Sequence, residues 1–213
     1  MRTVEWRAPG TLRLVEREEP VAGPGQAVIE VAACGICGSD LHAYADGYGA
    51  TPGQVLGHEF CGRVVSAPGV DGLAEGERVS VRPMIPCGAC ARCAAGEGNL
   101  CEAGHGLNIG FGSPGALAER VLVPRAIVGE TVFPLPDAID DRAGALVEPL
   151  AVAHHAVRLA DAGTDDVALV LGAGTIGQGV TRLLRLRGVA TLVVTDPSPL
   201  RRDRARALGA DVV

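Results

Sequence analysis

The stretch DDVALVLGAGTIGQGVTRLLRLRGVATLVVTD, residues 165–196, most restricts what this chain can fold into. A short apolar run is followed at once by a glycine loop, a helical pattern ending near Gly188 and a second apolar run. PSPLRRDRARALGAD then predicts a second helix. A β-α-β-α order of this kind is the beginning of a parallel sheet, and such strands are buried on both faces.

The loop itself carries the spacing GxGxxG at Gly172, Gly174 and Gly177. The first glycine allows a tight turn, the second lets a pyrophosphate approach the backbone, and the third permits close packing of helix and strand. Thr175 and Ile176 begin the helix, whose amide groups and dipole favour an anion. The loop therefore predicts a dinucleotide site.

Asp196 ends the second strand at the separation expected of a residue that binds the adenosine ribose. A carboxylate there favours NAD over NADP, because it repels a 2′-phosphate. Arg201 and Arg202 follow it, and they allow two interpretations: a solvated helix face, which we favour, or a receptor for that phosphate.

The chain before residue 148 has a different texture. Short extended runs such as QAVIEVAA and ERVSVRP alternate with Gly and Pro signals, which indicates a barrel-like or sandwich-like β structure. We therefore predict a mixed fold, β followed by α/β, with domains at residues 1–147 and 148–213. The boundary is a change of periodicity without a flexible linker.

Four of the seven cysteines, Cys87, Cys90, Cys93 and Cys101, lie within a lobe at about 86–102 with the spacing CxxCxxCx7C. Four thiolates with no open position are typical of structural zinc. An iron-sulfur cluster is the rival, but bacterial ferredoxins place the fourth cysteine after three residues and before a proline. Four unrelated buried cysteines are the remaining alternative.

A second group of ligand types is spread along the chain. CGICGSDLH contains Cys37, Ser39, Asp40 and His42, LGHEF contains His58 and Glu59, and VEPLAVAHHA adds Glu148. A thiolate, an imidazole and a carboxylate leave a fourth zinc position open, as catalysis requires. Taken singly, each residue also suits packing or a helix start. Cys34, Cys61, His105, His154 and His155 are expected to be packing or surface residues.

These motifs, in this order, resemble the zinc-dependent medium-chain dehydrogenases of the alcohol, sorbitol and threonine group. The resemblance implies a GroES-like catalytic domain followed by a Rossmann domain. It implies that Cys37, His58 and Glu148 hold catalytic zinc, that Glu59 is an exchangeable neighbour, and that Asp40 orients His58. It also implies that Ser39 takes the proton of the substrate hydroxyl and that His42 relays it to solvent, against a surface role for His42.

The expected reaction is transfer of hydride to NAD from a polyol, diol or secondary alcohol, with zinc at one catalytic and one structural site. Glu148, where a second cysteine could stand, resembles the polyol and secondary-alcohol branch. Threonine oxidation is the alternative substrate hypothesis. A small-molecule alcohol is the expected partner, and a full-length form is expected to be a homo-oligomer.

Composition sets the remaining limits. The net charge of −6 and the absence of an extended basic run argue against nucleic-acid or anionic-membrane partners. We find neither a signal peptide nor a membrane-spanning run, so we expect a cytoplasmic protein with reduced cysteines. Only part of a dinucleotide fold is present, which predicts a fragment that oxidises alcohols poorly by itself, or a non-catalytic zinc-binding remnant.

Overall fold

A computed structural model describes residues 1–213, and they form two compact units, Met1–Glu148 and Pro149–Val213. The first unit is rich in antiparallel strands and the second contains parallel ones. The predicted fold class, a β-rich part followed by an α/β part, is therefore confirmed. The assignment of a catalytic domain to 1–147 and a dinucleotide domain to 148–213 stays a prediction.

The first unit is built on a five-stranded antiparallel sheet with the order β6-β3-β4-β5-β7. Its strands are β3 (Ala27–Gly35), β4 (Glu59–Ser66), β5 (Arg78–Val81), β6 (Arg120–Val123) and β7 (Val132–Pro134). Ile29, Phe60 and Val79 are completely buried in its core. Burial of a side chain such as Phe60 contributes about 1.5–3 kcal/mol.

A hairpin of β1 (Arg2–Ala8) and β2 (Thr11–Glu16) begins the chain, and the sequence did not predict it. Its turn contains Gly10 at φ +71°, a backbone conformation that glycine adopts without strain. Trp6 lies on β1 and is buried with Ala43 and Leu56 in a small cluster apart from the main core. The sequence gives little sign of β2, because none of its residues is buried and only Val15 is half-buried.

The helices of the first unit are short. They are α1 (Gly38–Asp46), α2 (Ala91–Ala94), α3 (Gly104–Leu107) and α4 (Asp141–Ala145), with a 3-10 turn at Gly98–Leu100. Asp140 caps α4, where its carboxylate accepts a 2.8 Å hydrogen bond from the amide of Ala143. Helix α5 (Val147–Ala160) begins at the end of this unit and lies mainly in the second.

The second unit continues with β8 (Val167–Leu171), α6 (Thr175–Leu186), β9 (Thr191–Thr195) and α7 (Pro199–Ala207). Strands β8 and β9 are parallel, with Val167 paired to Thr191 and Leu171 to Thr195. The core contains Val170, Leu184 and Leu192, contributed by both strands and α6. This is the β-α-β-α order that the periodicity predicts.

The prediction that β8 is buried on both faces is wrong for this chain. Val167, Leu169 and Leu171 are 71%, 60% and 77% exposed, whereas Val170 between them is buried. Alternate residues of a strand point to opposite faces, and only the Val170 face is covered. None of the helices combines the length and the apolarity that crossing a bilayer requires.

Candidate functional site

Two neighbouring strands bring the first group of ligand types together. Strands β3 and β4 are antiparallel, and Gly35 at the end of β3 pairs with Glu59 at the start of β4. Cys37 lies two residues after the end of β3 and caps α1, while His58 immediately precedes β4. A side chain at position 35 would displace the Glu59 carboxylate, so glycine keeps that carboxylate in place. The pairing therefore places Cys37 beside His58 and Glu59 despite their separation in sequence.

The three side chains form a compact donor set. One ligand atom from each of Cys37, His58 and Glu59 lies within 4.8 Å of the other two. His58 and Glu59 are buried, and Cys37 is half-buried. A thiolate, an imidazole and a carboxylate in this arrangement suit a zinc ion and leave room for a further ligand. The residues present thus fit the metal that the sequence predicts.

Asp40 holds the two ligand segments together from within α1. Its carboxylate accepts one hydrogen bond from the amide of Cys37 (2.9 Å) and another from that of Gly57 (3.2 Å). Its Oδ1 lies 3.8 Å from Nδ1 of His58, too far for a hydrogen bond, and this buried nitrogen has no partner. The role of Asp40 in orienting His58 stays a prediction.

Glu148 lies outside the tight donor set, in which Glu59 provides the carboxylate. Glu148 is half-buried at the start of α5, and its pKa is raised to about 7 by burial first and by the negative charge of Glu59 second. A half-buried carboxyl whose charged form is disfavoured by a neighbouring carboxylate is typical of a place where a cation is bound. The roles of Glu148 and Glu59 as ligand and exchangeable neighbour stay predictions.

A cavity of about 410 Å³ lies next to Asp40 and Phe111, the two residues that approach His58, although none of the donor side chains lines it. Ser39 and Asp40 of α1 line it together with Phe111, whose ring contacts the imidazole of His58. The hydroxyl oxygen of Ser39 is buried and makes no hydrogen bond within the chain. A buried hydroxyl without a partner is costly unless a ligand satisfies it, which agrees with the predicted contact between Ser39 and a substrate hydroxyl.

His42 lies one turn after Ser39 on α1, on the same side of the helix. Its side chain is 73% exposed, and its Nδ1 is 3.8 Å from a carboxylate oxygen of Asp46. A proton on His42 therefore has direct access to solvent. The proton roles of Ser39 and His42 stay predictions.

Sequence reasoning missed three residues that shape the cavity. Tyr48, Gln54 and Phe111 line it, and they lie in loops where no pattern distinguishes them. His105, expected to be a surface or packing residue, is exposed and lines the same cavity. His154 and His155 are exposed on α5, Cys61 is buried, and Cys34 is half-buried with its pKa raised to about 12 by burial.

The four-cysteine lobe closes on itself as the spacing predicts. One sulfur from each of Cys87, Cys90, Cys93 and Cys101 lies within 4.8 Å of the others. The Cys87–Cys93 and Cys90–Cys101 sulfur separations are 3.9 and 4.0 Å. Tetrahedral zinc with four thiolates would set these separations at about 3.8 Å. The donor set therefore fits a closed structural zinc site.

Backbone amides of the lobe point at its sulfur atoms. The amide nitrogens of Ala89 and Cys90 each lie 3.4 Å from the Cys87 sulfur. The amide nitrogen of Cys87 lies 3.2 Å from the Cys101 sulfur. Hydrogen bonds of this kind favour the thiolate. The amide of Cys93 accordingly lowers the pKa of Cys90 to about 6, whereas desolvation raises the pKa of Cys93 to about 11.

In the second unit, the glycine loop has the geometry of a tight turn at a helix N-terminus. Gly172 has φ +96°, Gly174 caps α6, and a side chain at Gly177 would collide with the carbonyl of Gly172. Thr175 and Ile176 are exposed at the first turn of α6. The loop therefore leaves amide groups free for an anion, while their binding of a cofactor stays a prediction.

Asp196 follows β9 directly and holds the glycine loop through a hydrogen bond. Its carboxylate accepts hydrogen bonds from the amides of Ala173 (2.9 Å) and Ser198 (2.8 Å), and the Ala173 bond is the main cause of its lowered pKa. Arg201 lies 3.6 Å from the same carboxylate and is 54% exposed. Arg202 donates to the Asp196 carbonyl at 2.6 Å, so its guanidinium is engaged with the backbone.

Three features together define the class of medium-chain dehydrogenases. They are an antiparallel β unit with a Cys-His-Glu group, a four-cysteine lobe, and a glycine loop in the unit that follows. The family model described as "Alcohol dehydrogenase GroES-like domain" matches residues 23–137, and the chain belongs to this zinc-type alcohol dehydrogenase family.

The chain is 38% identical to L-galactonate-5-dehydrogenase of Escherichia coli K12, over 92% of this chain and 56% of that protein. It is 36% identical to L-threonine 3-dehydrogenase of Pyrococcus abyssi, over 94% and 57%. A crystal structure of a short chain alcohol dehydrogenase from E. coli CFT073, complexed with NADH, superposes with a TM-score of 0.88 at 30% identity, covering 100% of this chain and 61% of that one. The chain thus spans 56–61% of the length of the curated relatives it matches.

Proposed function

We propose that this chain carries the metal-binding and dinucleotide-binding parts of a zinc-dependent dehydrogenase that transfers hydride from an alcohol to NAD. The observation that carries the proposal is the Cys37, His58 and Glu59 group, with the unpartnered hydroxyl of Ser39 two residues after Cys37 and a cavity lined by Ser39, Asp40 and Phe111. No packing requirement demands a thiolate, an imidazole and a carboxylate within 4.8 Å in a buried place.

The roles of the residues follow from their positions. Zinc held by Cys37, His58 and Glu59 or Glu148 would supply a Lewis acid for the oxygen of the substrate. Ser39 relays the hydroxyl proton: its oxygen, which makes no hydrogen bond within the chain, accepts that proton while its own hydroxyl proton passes on toward His42. His42 passes the proton to water, since its ring is largely exposed one turn further along α1.

The glycine loop and Asp196 support the choice of cofactor. The N-terminus of α6 offers amides for a pyrophosphate, and the negative charge of Asp196 disfavours a 2′-phosphate. A related dehydrogenase of known structure is complexed with NADH. We therefore propose NAD, bound in the manner of a Rossmann domain, as the hydride acceptor.

The substrate class follows from the position of Glu148 and from the relatives. We propose a polyol, diol or secondary alcohol, with oxidation to a ketone or aldehyde. L-threonine is the second candidate, because a threonine dehydrogenase is 36% identical to this chain. We also propose that the complete enzyme is a homo-oligomer and that it needs no nucleic-acid or membrane partner.

The first experiment counts zinc per chain by elemental analysis in the wild type, Cys37→Ser and Cys90→Ser. The expected result is two zinc ions in the wild type and one in each variant, because the two donor sets share no residue. If Cys37→Ser keeps all of the zinc, the catalytic metal site does not exist, and the hypothesis of a non-catalytic zinc-binding protein replaces the proposal.

The second experiment measures NADH formation by the complete enzyme with polyols, vicinal diols, secondary alcohols, threonine and primary alcohols. Ser39→Ala is expected to lower turnover of every active substrate by about 100-fold while leaving the zinc count unchanged. Fast turnover of primary alcohols alone would contradict the substrate class. A rate in Ser39→Ala equal to that of wild type would contradict the proton role of Ser39.

A further inference from the structure

Gln54 lines the cavity without any predicted role, yet its side-chain amide is fully engaged. Its Nε2 donates to the carbonyls of Gly110 (2.9 Å) and Phe111 (2.6 Å), and its Oε1 accepts from the amide of Thr51 (3.1 Å). The amide cannot be flipped, because its oxygen would then face two carbonyl oxygens. Gln54 therefore ties the segment before His58 to the loop that contains Phe111.

That loop has little freedom of its own. The carbonyl of Asn108 accepts the amides of Phe111, Gly112 and Ser113. Gly110 has φ +84°, and a side chain there would press on the carbonyl of Gly57, one residue before His58. The loop is thus packed against the backbone of the metal-binding segment.

Phe111 connects this loop to His58, because its ring packs against the imidazole. Its ring centroid lies 4.7 Å from that of His58, with the planes tilted by 41°. Within the chain, Nδ1 of His58 has no hydrogen bond, since Asp40 is 3.8 Å away. The aromatic contact therefore restrains the orientation of the ring where a hydrogen bond does not.

We propose that Gln54 is a positioning residue for the metal ligand His58, acting through the two carbonyls that it holds and the ring of Phe111. This inference rests on the proposed function, because it assumes that His58 binds a metal. Loss of the two donated hydrogen bonds removes the tie between this internally held loop and the segment before His58. The Phe111 ring then restrains the imidazole less, and His58 samples orientations that do not bind. Residues that orient a metal-bound histidine typically change metal affinity by about 10- to 100-fold.

The test is a Co²⁺ titration of the zinc-free chain, followed by thiolate-to-metal absorption, in wild type, Gln54→Glu and Gln26→Glu. Glutamate keeps the shape and the acceptor oxygen but donates nothing to the carbonyls. Gln26 is a matched control, because its Oε1 also accepts an amide from three residues earlier, that of Gly23 at 2.9 Å. The four-cysteine lobe is an internal control, and Cys37→Ser defines its signal alone.

The expected result is about 10-fold weaker Co²⁺ binding at the Cys37 site in Gln54→Glu, with the lobe and the melting temperature matching those of Gln26→Glu. The added negative charge would by itself favour a cation, so a loss of affinity reports geometry. Phe111→Leu, which leaves every hydrogen bond in place, is expected to weaken the same site.

Three outcomes would overturn the inference. Unchanged affinity in Gln54→Glu shows that the clamp does not position His58. Equal losses at both sites show a general loss of stability. Wild-type absorption that is indifferent to Cys37→Ser shows that no metal binds there, and this outcome alone also refutes the proposed function.

Discussion

At the scale of single residues, two glycines of the loop that look equivalent in sequence, Gly174 and Gly177, have different surroundings. A methyl group at Gly177 would collide with the carbonyl of Gly172, whereas one at Gly174 would meet nothing within 4 Å. Gly174 also has φ −70°, which alanine adopts readily. The third glycine of the motif is thus required by the fold, and the second is free to serve a ligand.

Gly177→Ala is therefore expected to lower the free energy of unfolding by at least about 2 kcal/mol, because backbone atoms must move to admit the methyl group. Gly174→Ala is the matched control and should change it by less than about 0.5 kcal/mol. Urea denaturation followed by circular dichroism measures both. Equal effects of the two substitutions would contradict the geometry of the loop.

Asp196 provides a prediction on pH. The amide of Ala173 is the main cause that lowers the pKa of its carboxyl below the usual 3.8. A depressed pKa in the folded state contributes stability that is complete above 3.8 and is lost as the pH falls through the folded-state pKa. The stability difference between wild type and Asp196→Asn should be constant from about pH 7 to pH 5 and should shrink at lower pH. Urea midpoints at each pH test this, and a difference that grows on acidification would contradict it.

At the scale of elements, the four-cysteine lobe has almost nothing apolar to hold it. Neither α2 nor the 3-10 turn at Gly98–Leu100 contains a buried residue. A segment without a core depends on its metal for order, since closing the thiolates around an ion replaces the missing burial. The lobe is therefore the element whose structure should respond most to a chelator.

Limited trypsin digestion makes this visible. Trypsin cleaves after lysine and arginine. The chain contains no lysine, and Arg92 is the one arginine within the lobe. The zinc-loaded protein is expected to resist cleavage after Arg92, and chelation should expose that bond and release fragments 1–92 and 93–213. Mass spectrometry identifies the products. Equal cleavage with and without zinc would show that the lobe is ordered by other means.

Some helices and strands could be predicted from the sequence and others could not. Strand β8, α6 and β9 were predicted because local periodicity and the glycine motif specify them without reference to the rest of the chain. The β1–β2 hairpin was missed because its residue types do not follow its burial: Glu5 of β1 is buried, whereas Leu12 and Leu14 of β2 are exposed. Helix α1 was missed as well, since its amphipathic pattern is weak and glycines flank it.

The candidate site divides in the same way. Cys37, His58 and Glu59 were recognised by type, but their meeting depends on the register of β3 with β4, which no local pattern determines. Gln54 and Phe111 were not recognised at all, because their importance comes from contacts between distant segments. Candidate metal ligands can be recognised from the sequence by their residue types, whereas the residues that orient them can be identified only once the fold is known.

At the scale of the whole molecule, the exposed face of β8 should dominate the surface behaviour of this chain. Val167, Leu169 and Leu171 form a continuous apolar strip on one face of a strand. Such a strip binds hydrophobic dyes. Leu169→Glu is expected to reduce the fluorescence of bound anilinonaphthalene sulfonate by about half.

The control is Leu14→Glu, which alters an equally exposed leucine, 68% accessible, on β2 of the other unit. This variant should leave the dye signal nearly unchanged, because Leu14 is not part of the strip. A larger effect of Leu14→Glu than of Leu169→Glu would place the dominant apolar surface in the first unit.

The two donor sets of the first unit differ in chemical softness, and this difference gives the molecule a capacity to sort ions. Four sulfur atoms in the lobe favour a large, polarisable ion such as Cd²⁺, whereas the mixed group of Cys37, His58 and Glu59 accepts a harder one such as Co²⁺. A chain refolded in an equimolar mixture is expected to become a defined heterobimetallic species. Each position would then carry its own spectroscopic label, cadmium for the lobe and cobalt for the site beside the cavity.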